Sequence, residues 1–230
     1  MIYAMSDIHG CYDLYIKMLE KINFSENDTL YIVGDVIDRG EDGIKILFDM
    51  MKRKNVVPIL GNHDYTCAYL LKRLKTKATE ELKEIFKDWL ADGGLPTYQA
   101  FKVLDENDRK EIIEYLKCFS IFEEIETQSG KFFLSHTVPS KETMEDFDNM
   151  DWKELIVGHC EYDTVYFEDK YIVTGHTPTA LIDFTCKGKI FEQNNHIAID
   201  CGAVFTGTLG CICLDTLEKF YVNNLPEADY

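Results

Sequence analysis

The chain has 230 residues, of which 46% are hydrophobic, and its formal net charge is −17. This length is sufficient for one large domain with a full buried core. The negative charge argues against binding to nucleic acid or to anionic membrane surfaces, because both depend on clustered lysine and arginine, and no segment reaches the roughly 18 apolar residues of a membrane span.

The first third of the chain alternates short apolar runs with amphipathic segments. Apolar runs of this length predict buried strands. In chain order the pattern predicts a strand to residue 6, a helix over 14–22, a strand over 30–33, a helix over 43–52 and a strand over 56–60. This βαβαβ order predicts a parallel sheet with right-handed crossovers.

The middle of the chain is predicted to be helical, and the second half returns to strands. Apolar residues at helical spacing predict a helical insertion over about 65–118, interrupted at 93–96, within a single domain that spans 1–230. Short strands are then predicted at 121–125, 131–134, 171–174, 197–199, 210–214 and 220–222. Without long helices between them, they predict a second, mixed sheet. The predicted fold class is therefore α/β, with two sheets packed face to face and helices outside.

Four polar motifs directly follow predicted strands. They are DIHG at 7–10, GDVIDRG at 34–40, GNHD at 61–64 and GHTP at 175–178. Ligands of open α/β sheets bind beyond the carboxyl ends of the strands, so these motifs would gather oxygen and nitrogen donors at one edge. Turn chemistry explains any one motif alone, but four in this order predict a metal site. The helical insertion is expected to lie over this edge.

These motifs, together with Ser135-His136 and the segment 199–205, resemble the calcineurin-like metallophosphoesterases. The chain is similar to the phosphoprotein phosphatase branch, which includes bacteriophage lambda and bacterial serine/threonine protein phosphatases, and to the diadenosine tetraphosphatases. The resemblance covers nearly the whole chain apart from its middle. It implies an α/β/β/α sandwich and two divalent metal ions.

The resemblance also implies a ligand set. Asp7, His9 and Asp35 would hold one ion, and Asp35, Asn62, His136 and His176 would hold the other. Carboxylate, amide and imidazole donors favour manganese, with iron, zinc or nickel as alternatives. A hydroxide bridging the two ions would attack phosphorus in line, without a phosphoenzyme.

Three further motif residues have implied roles in catalysis. His63 would protonate the leaving oxygen, Asp38 would accept a hydrogen bond from His63, and Arg39 would grip phosphate oxygens beside Asn62. The alternatives are a third metal ligand for His63, a helix cap for Asp38 and a solvated surface side chain for Arg39.

The chain departs from the phosphatase branch where a second phosphate-binding arginine is normal. No arginine follows Arg109, and the stretch 152–159 occupies that region. His159 or Lys153 would have to substitute, although neither has the fork geometry of arginine. His159 is equally well explained as a loop histidine, and His196 is expected to be structural.

The main functional prediction is a serine/threonine protein phosphatase-like phosphomonoesterase, acting on a phosphorylated protein, a peptide or a small phosphoester. A diadenosine tetraphosphate hydrolase is the alternative, with Tyr65, Tyr69 or Trp89 stacking on bases unless these rings belong to the core. A catalytically silent binding scaffold is disfavoured because every ligand position holds a usable residue. A nuclease is disfavoured by the acidic charge. The oligomeric state is not indicated.

The sequence predicts a cytoplasmic protein. Its N-terminus lacks a basic region and reaches the predicted ligand Asp7 at once, so cleavage of a signal peptide there would remove the site. Eight cysteines in a long chain without an export signal indicate thiols rather than disulfides. Cys211 and Cys213 are predicted to be buried thiols on one strand face.

Overall fold

A computed structural model of the chain describes residues 1–74, 77 and 79–224. Residues 75, 76 and 78, within the predicted insertion, and 225–230, at the end of the predicted domain, lie outside the described residues. The extent of the predicted domain over 1–230 stays a prediction.

The described secondary structure alternates strands and helices in the first third of the chain, as predicted. The strands are β1 (Ile2–Met5), β2 (Thr29–Val33), β3 (Val56–Ile59), β4 (Phe122–Thr127), β5 (Gly130–Ser135), β6 (Lys170–Thr174), β7 (Phe191–Gln193), β8 (His196–Ala198), β9 (Thr208–Cys213) and β10 (Lys219–Asn223). The α-helices are α1 (Tyr12–Lys21), α2 (Gly43–Met51), α3 (Asn62–Leu71), α4 (Glu80–Trp89), α5 (Leu95–Val103), α6 (Glu106–Leu116), α7 (Lys141–Glu145), α8 (Glu154–Val157), α9 (Thr179–Ile182) and α10 (Ala203–Thr206).

The strands of the described residues form two five-stranded sheets, which confirms the predicted fold class. The first has the order β10-β9-β1-β2-β3, and the second has the order β4-β5-β6-β8-β7. Strands β1, β2 and β3 are parallel, as the βαβαβ pattern predicts. Strands β5, β6 and β8 are also parallel, while β4 and β7 are antiparallel edges.

The prediction was wrong for the sheet membership of two strands. β9 and β10 were assigned to the second sheet, but β9 pairs antiparallel with β1, with Ala4 opposite Ile212, and β10 pairs with β9. The short strand β7 was not predicted. A period-two or apolar pattern shows that a segment is a strand, but it does not identify the neighbour that it pairs with.

Helices α3 to α6 lie between β3 and β4 and make up the predicted insertion. The side chain of Asp105 caps α6 by accepting from the backbone of residues 107 and 108. Pro96 lies in the first turn of α5, where its missing N–H is not needed. The predicted interruption at 93–96 is therefore a kink in the segment Leu90–Gly94, followed directly by a new helix start.

Apolar layers hold the sheets and helices together. The two sheets meet at buried side chains that include Ala4 and Val33 from the first sheet and Leu134, Val173 and Ile197 from the second. Each large aliphatic side chain buried there contributes about 2 kcal/mol. Helices α1 and α2 and the insertion cover the outer face of the first sheet, and short helices α7 and α8 pack on the second. The layers are helix, sheet, sheet and helix, as the α/β/β/α prediction requires.

The architecture places the four motifs at one edge. Each follows the carboxyl end of a parallel strand in one of the two sheets, and the loop after β5 adds His136. Within the described residues, no helix combines the length and apolar character needed to cross a bilayer. Location in the cytoplasm stays a prediction.

Candidate metal centre

The carboxylate of Asp35 lies at the centre of the predicted ligands. Its Oδ2 is 3.4 Å from His136 Nε2 and 3.6 Å from His9 Nε2, and its Oδ1 accepts a hydrogen bond from the backbone N–H of His63 at 3.0 Å. One possible ligand atom from each of Asp7, Asp35 and His136 lies within 4.8 Å of the others. Asp35 is thus positioned to be shared between two ions.

The remaining ligands converge on the same point. Asn62 Oδ1 is 3.0 Å from both His136 Nε2 and His176 Nδ1, and these nitrogens are 3.2 Å apart. The backbone N–H of His176 donates to both carboxylate oxygens of Asp7, at 3.2 and 3.0 Å. The structure therefore brings all six predicted ligands together. Their division between two ions stays a prediction, because His9, Asp35 and His63 form a second close group.

Main-chain carbonyls fix the ring orientation of two predicted metal ligands. His9 Nδ1 donates to Ile37 O at 2.9 Å, and His136 Nδ1 donates to Val33 O at 3.0 Å. This leaves the Nε2 atom of each ring directed at Asp35. Metal-binding histidines are commonly fixed in this way. The buried donor set of carboxylate, amide and imidazole therefore fits divalent ions.

Six motif residues outside glycine adopt the left-handed backbone region. They are Asp7, His9, Asp35, Asp38, Arg39 and His176. Each such conformation costs about 1–3 kcal/mol and persists where the surrounding structure enforces it. Glycine is required close by, since a Cβ at Gly34 would lie 2.2 Å from His136 Nδ1 and one at Gly61 would lie 2.1 Å from Asp35 Oδ1. The loops are thus strained and tightly packed around the ligands.

Asp64 holds two of these loops together, a role that the sequence did not predict. Its Oδ2 accepts from the backbone N–H of Asp35 at 2.8 Å and of Gly61 at 3.2 Å, and its Oδ1 accepts from Val36 at 3.1 Å. Burial, followed by the charge of Asp35, raises the pKa of Asp64 to about 7. The side chain links the ends of β2 and β3 and so sets the distance between Asp35 and Asn62.

Burial opposes charge on every ionisable residue of the predicted ligand set, and neighbouring charges determine which of them carries charge. Burial lowers the pKa of His9 and of His176 to about 4 and raises that of Asp7 to about 6. Burial also opposes charge on His136, but the charge of Asp35 and the hydrogen bond to it raise the pKa of His136 to about 10. Despite burial, His136 in turn holds the pKa of Asp35 well below its usual range. A proton on His136 thus supplies positive charge that a cation would otherwise bring.

This proton makes metal affinity dependent on pH. In chelator-treated protein, a dication must displace the proton of His136, so we expect the apparent affinity to rise with pH, by up to about tenfold per unit below the raised pKa. Calorimetric titration with Mn²⁺ at about pH 6 and about pH 8, in buffers of different ionisation enthalpy, measures both affinity and proton release. Equal affinity at the two pH values, without proton release, would contradict this assignment.

The predicted catalytic residues lie beside the ligands. His63 Nδ1 is 2.9 Å from Asp38 Oδ2, and His63 Nε2 is 3.0 Å from Arg39 Nη2. Burial opposes charge on His63, but the hydrogen bond that His63 donates to Asp38 and the charge of Asp35 outweigh it and raise the pKa of His63. Arg39 Nη1 also lies 2.6 Å from His9 Nε2. An ion at His9 therefore requires the guanidinium to move away.

The helical insertion contributes hydrogen bonds to Asp38 and Arg39, next to His63. Trp89 is buried, and its Nε1 donates to Asp38 Oδ2 at 2.7 Å. The backbone N–H of Asp38 donates to Thr97 Oγ1 at 3.0 Å, and that of Arg39 donates to Gly93 O at 2.8 Å. From the sequence, Trp89 was considered only for base stacking or the core, and residues 93–96 only as an interruption, so these contacts with Asp38 and Arg39 were not predicted. The available signal was a tryptophan and two glycines in an insertion expected over the site.

The other predicted side chains are not among the converging donors. His159 is exposed, and its charge contributes to the lowered pKa of His176. Tyr65 packs edge-on against Trp152 at 5.6 Å, and Tyr69 packs against the guanidinium of Arg73. Burial of Trp89 removes it as a surface for base stacking. His196 is buried, with Nε2 2.8 Å from Thr174 Oγ1, as its structural role requires.

Comparison with known proteins identifies the family. The sequence profile of the calcineurin-like phosphoesterases matches residues 1–200. The chain belongs to the calcineurin-like phosphoesterase family. Membership in this metallophosphoesterase family implies dependence on two metal ions, and the donor groups around Asp35 fit that requirement.

Relatives of this phosphoesterase include both classes that the sequence predicted. It is 27% identical over 220 residues to serine/threonine-protein phosphatase 2 of Salmonella typhimurium, a match that covers 90% of each chain. It is 41% identical over 86 residues to the symmetrical bis(5'-nucleosyl)-tetraphosphatase of Wigglesworthia glossinidia brevipalpis, covering 36% of this chain. That match spans only 32% of the tetraphosphatase.

Structural comparison agrees on the fold. A protein provisionally assigned as a diadenosine tetraphosphatase superposes with a TM-score of 0.68 at 19% identity, covering 97% of this phosphoesterase and 93% of the other chain. At this identity the likeness establishes the fold alone.

Proposed function

We propose that this phosphoesterase is a dimetal-dependent phosphomonoesterase of the serine/threonine protein phosphatase type. The observation that carries the proposal is the placement of the His63–Asp38 pair and Arg39 directly beside the converging metal donors. Similarity over nine tenths of both chains to a bacterial serine/threonine phosphatase supports this substrate class. The expected substrates are phosphorylated proteins or peptides and small phosphoesters.

The chain's own side chains divide the work of hydrolysis. Arg39, whose side chain is 28% exposed, binds the phosphoryl oxygens through its planar guanidinium. The Arg39 guanidinium can only donate to His63 Nε2, so it turns to the phosphoryl group before His63 acts. His63 then holds a proton at Nε2 and donates it to the leaving oxygen, while Asp38 fixes the ring through Nδ1. Asn62 is assigned to contact both the phosphate and one ion, and the exposed His159 stays a weaker candidate for phosphate binding.

The proposed cofactors are two divalent ions held by Asp7, His9, Asp35, Asn62, His136 and His176. When bound, such ions supply an activated water and neutralise charge on the phosphoryl group. The mixture of hard oxygen donors with three imidazoles supports Mn²⁺ as the first choice, with iron, zinc or nickel as alternatives.

A second candidate, dinucleoside tetraphosphate hydrolysis, is favoured by one specific observation. The ring of Phe205 is 67% exposed and lies 5.3 Å from the guanidinium carbon of Arg39. An exposed aromatic ring next to a phosphate-binding arginine offers a surface on which a base can stack. The tetraphosphatase relatives support the same candidate.

A substrate panel tests the proposed function. We expect Mn²⁺-loaded protein to hydrolyse phosphoserine and phosphothreonine peptides and para-nitrophenyl phosphate, and a chelator to abolish the activity until Mn²⁺ is restored. Release of inorganic phosphate measures turnover. Activity on diadenosine tetraphosphate alone would establish the second candidate in place of the first.

A further inference from the structure

One acidic side chain beside the catalytic residues has no role in the proposed chemistry. Asp92 Oδ2 lies 3.6 Å from His63 Nε2, and Asp92 Oδ1 lies 3.9 Å from Arg39 Nη2. The side chain is 66% exposed. A negative charge open to solvent thus lies next to the nitrogen that faces the leaving group and the guanidinium that binds phosphate.

The backbone on either side of Asp92 is attached to the catalytic residues. Gly93, the next residue, accepts a hydrogen bond from the backbone N–H of Arg39 at 2.8 Å. Gly93 has a φ of 102°, and a Cβ there would lie 2.6 Å from Arg39 Cγ. On the other side, buried Trp89 donates to Asp38. The position of the Asp92 carboxylate is therefore set by the fold of the insertion as well as by its own rotamer.

The two candidate substrate classes differ in charge at this position. Hydrolysis of a serine or phenyl phosphate releases a neutral alcohol or phenol from the oxygen that His63 protonates. Cleavage in the middle of a four-phosphate chain instead releases a nucleoside diphosphate, whose remaining phosphates carry negative charge. Those charges would lie a few ångströms from the Asp92 carboxylate, where like charges repel.

We propose that Asp92 selects substrates by the charge of the leaving group. Resting on the proposed function, this inference makes the Asp92 carboxylate a barrier to leaving groups that carry phosphate charge, while hydrogen-bond donors or cations beside the scissile ester are accepted. Repulsion by Asp92 explains how an enzyme with a metal site that also suits polyphosphates can prefer phosphomonoesters. Repulsion of this kind discriminates by about tenfold or more.

The test compares Asp92→Asn with Asp169→Asn. Asp169 has the same chemistry and nearly the same exposure, 67%, but it pairs with Lys131 at the opposite end of the second sheet. We expect the ratio of kcat/KM for diadenosine tetraphosphate to kcat/KM for phenyl phosphate to rise about tenfold in Asp92→Asn, and to stay at the wild-type value in Asp169→Asn. An unchanged ratio would overturn the proposal. An equal rise for both substrates would also overturn it, since Asp92 would then merely compete with phosphate for Arg39.

A binding measurement separates this inference from the proposed function. Calorimetry on Mn²⁺-loaded protein gives the affinity for ADP relative to orthophosphate, and we expect Asp92→Asn to shift this ratio toward ADP by about tenfold. If the wild type hydrolyses neither substrate but the ratio shifts, the proposed function fails and the role of Asp92 stands. If turnover is normal and the ratio does not shift, the role of Asp92 fails alone.

Discussion

We expect replacement of Asp35 with asparagine to remove both bound metal and turnover. We expect kcat to fall by about 10³-fold or more, because a cation pair supplies several kcal/mol of charge stabilisation and each 1.36 kcal/mol is about a factor of ten. Asp35 Oδ2 faces His9 and His136, whereas Oδ1 accepts the N–H of His63. Asparagine keeps that backbone hydrogen bond and loses the charge. Elemental analysis of protein purified without chelator, together with phosphate release, measures both effects.

The Asp35 variant needs evidence that it is folded. Asparagine has nearly the same size as aspartate, so the circular dichroism spectrum and a cooperative thermal transition should be retained. Wild-type metal content in a folded Asp35→Asn protein would contradict the placement of this carboxylate between two ions. Excess Mn²⁺ is expected to restore little activity, because the shared anionic ligand is missing.

We expect replacement of His63 with asparagine to lower turnover and to leave the metal content intact. We expect kcat for a phosphoserine peptide to fall by about 10²–10⁴-fold, the usual contribution of a positioned general acid. The loss should be much smaller for para-nitrophenyl phosphate, because its leaving group departs without a proton. A purely structural defect would reduce both rates equally, so the ratio of the two substrates is the decisive measurement.

The partner of His63 provides a second variant and a pH test. Asp38→Asn should reproduce the substrate dependence, since Asp38 holds His63 through Nδ1. The pKa of His63 is raised above its ordinary value of 6.5, so the wild-type rate on poor leaving groups should fall as pH rises through that pKa. This fall in rate with rising pH should be absent from the His63→Asn variant. Loss of metal from either variant would instead favour His63 as a metal ligand, an arrangement that its proximity to His9 and Asp35 permits.

Much of the fold could be predicted because local patterns report local structure. The βαβαβ unit follows from apolar runs that alternate with amphipathic segments, and its parallel pairing follows from crossover rules. The sheet membership of β9 and β10 could not be predicted in this way. β10 pairs with its chain neighbour β9, but β9 joins the first sheet through β1, about 200 positions away along the chain. No pattern within a strand specifies such a distant partner.

The site likewise contains residues that local sequence predicts and contacts that only packing sets. Asp7, Asp35 and Asn62 could be identified because they follow strands whose carboxyl ends must meet at one edge. The hydrogen bonds that join Trp89 and Thr97 to Asp38 could not be predicted from the sequence. The same is true of the hydrogen bonds by which Asp64 joins the loops after β2 and β3. A tryptophan in an amphipathic helix is normally core, and only the packing of the insertion against the loop after β2 turns its N–H toward a carboxylate.

By itself, the sequence determined the phosphoesterase family of this protein, because the order and identity of donor residues after strands limit what can bind there. Only the tertiary structure decided which groups lie around His63. Asp92 lies on a segment more than fifty residues from Asp38 in the chain, and its distance to His63 is set by how the insertion folds back over the sheet edge. Charge acts through space and falls with distance, so selectivity of this kind depends on coordinates that no linear pattern contains.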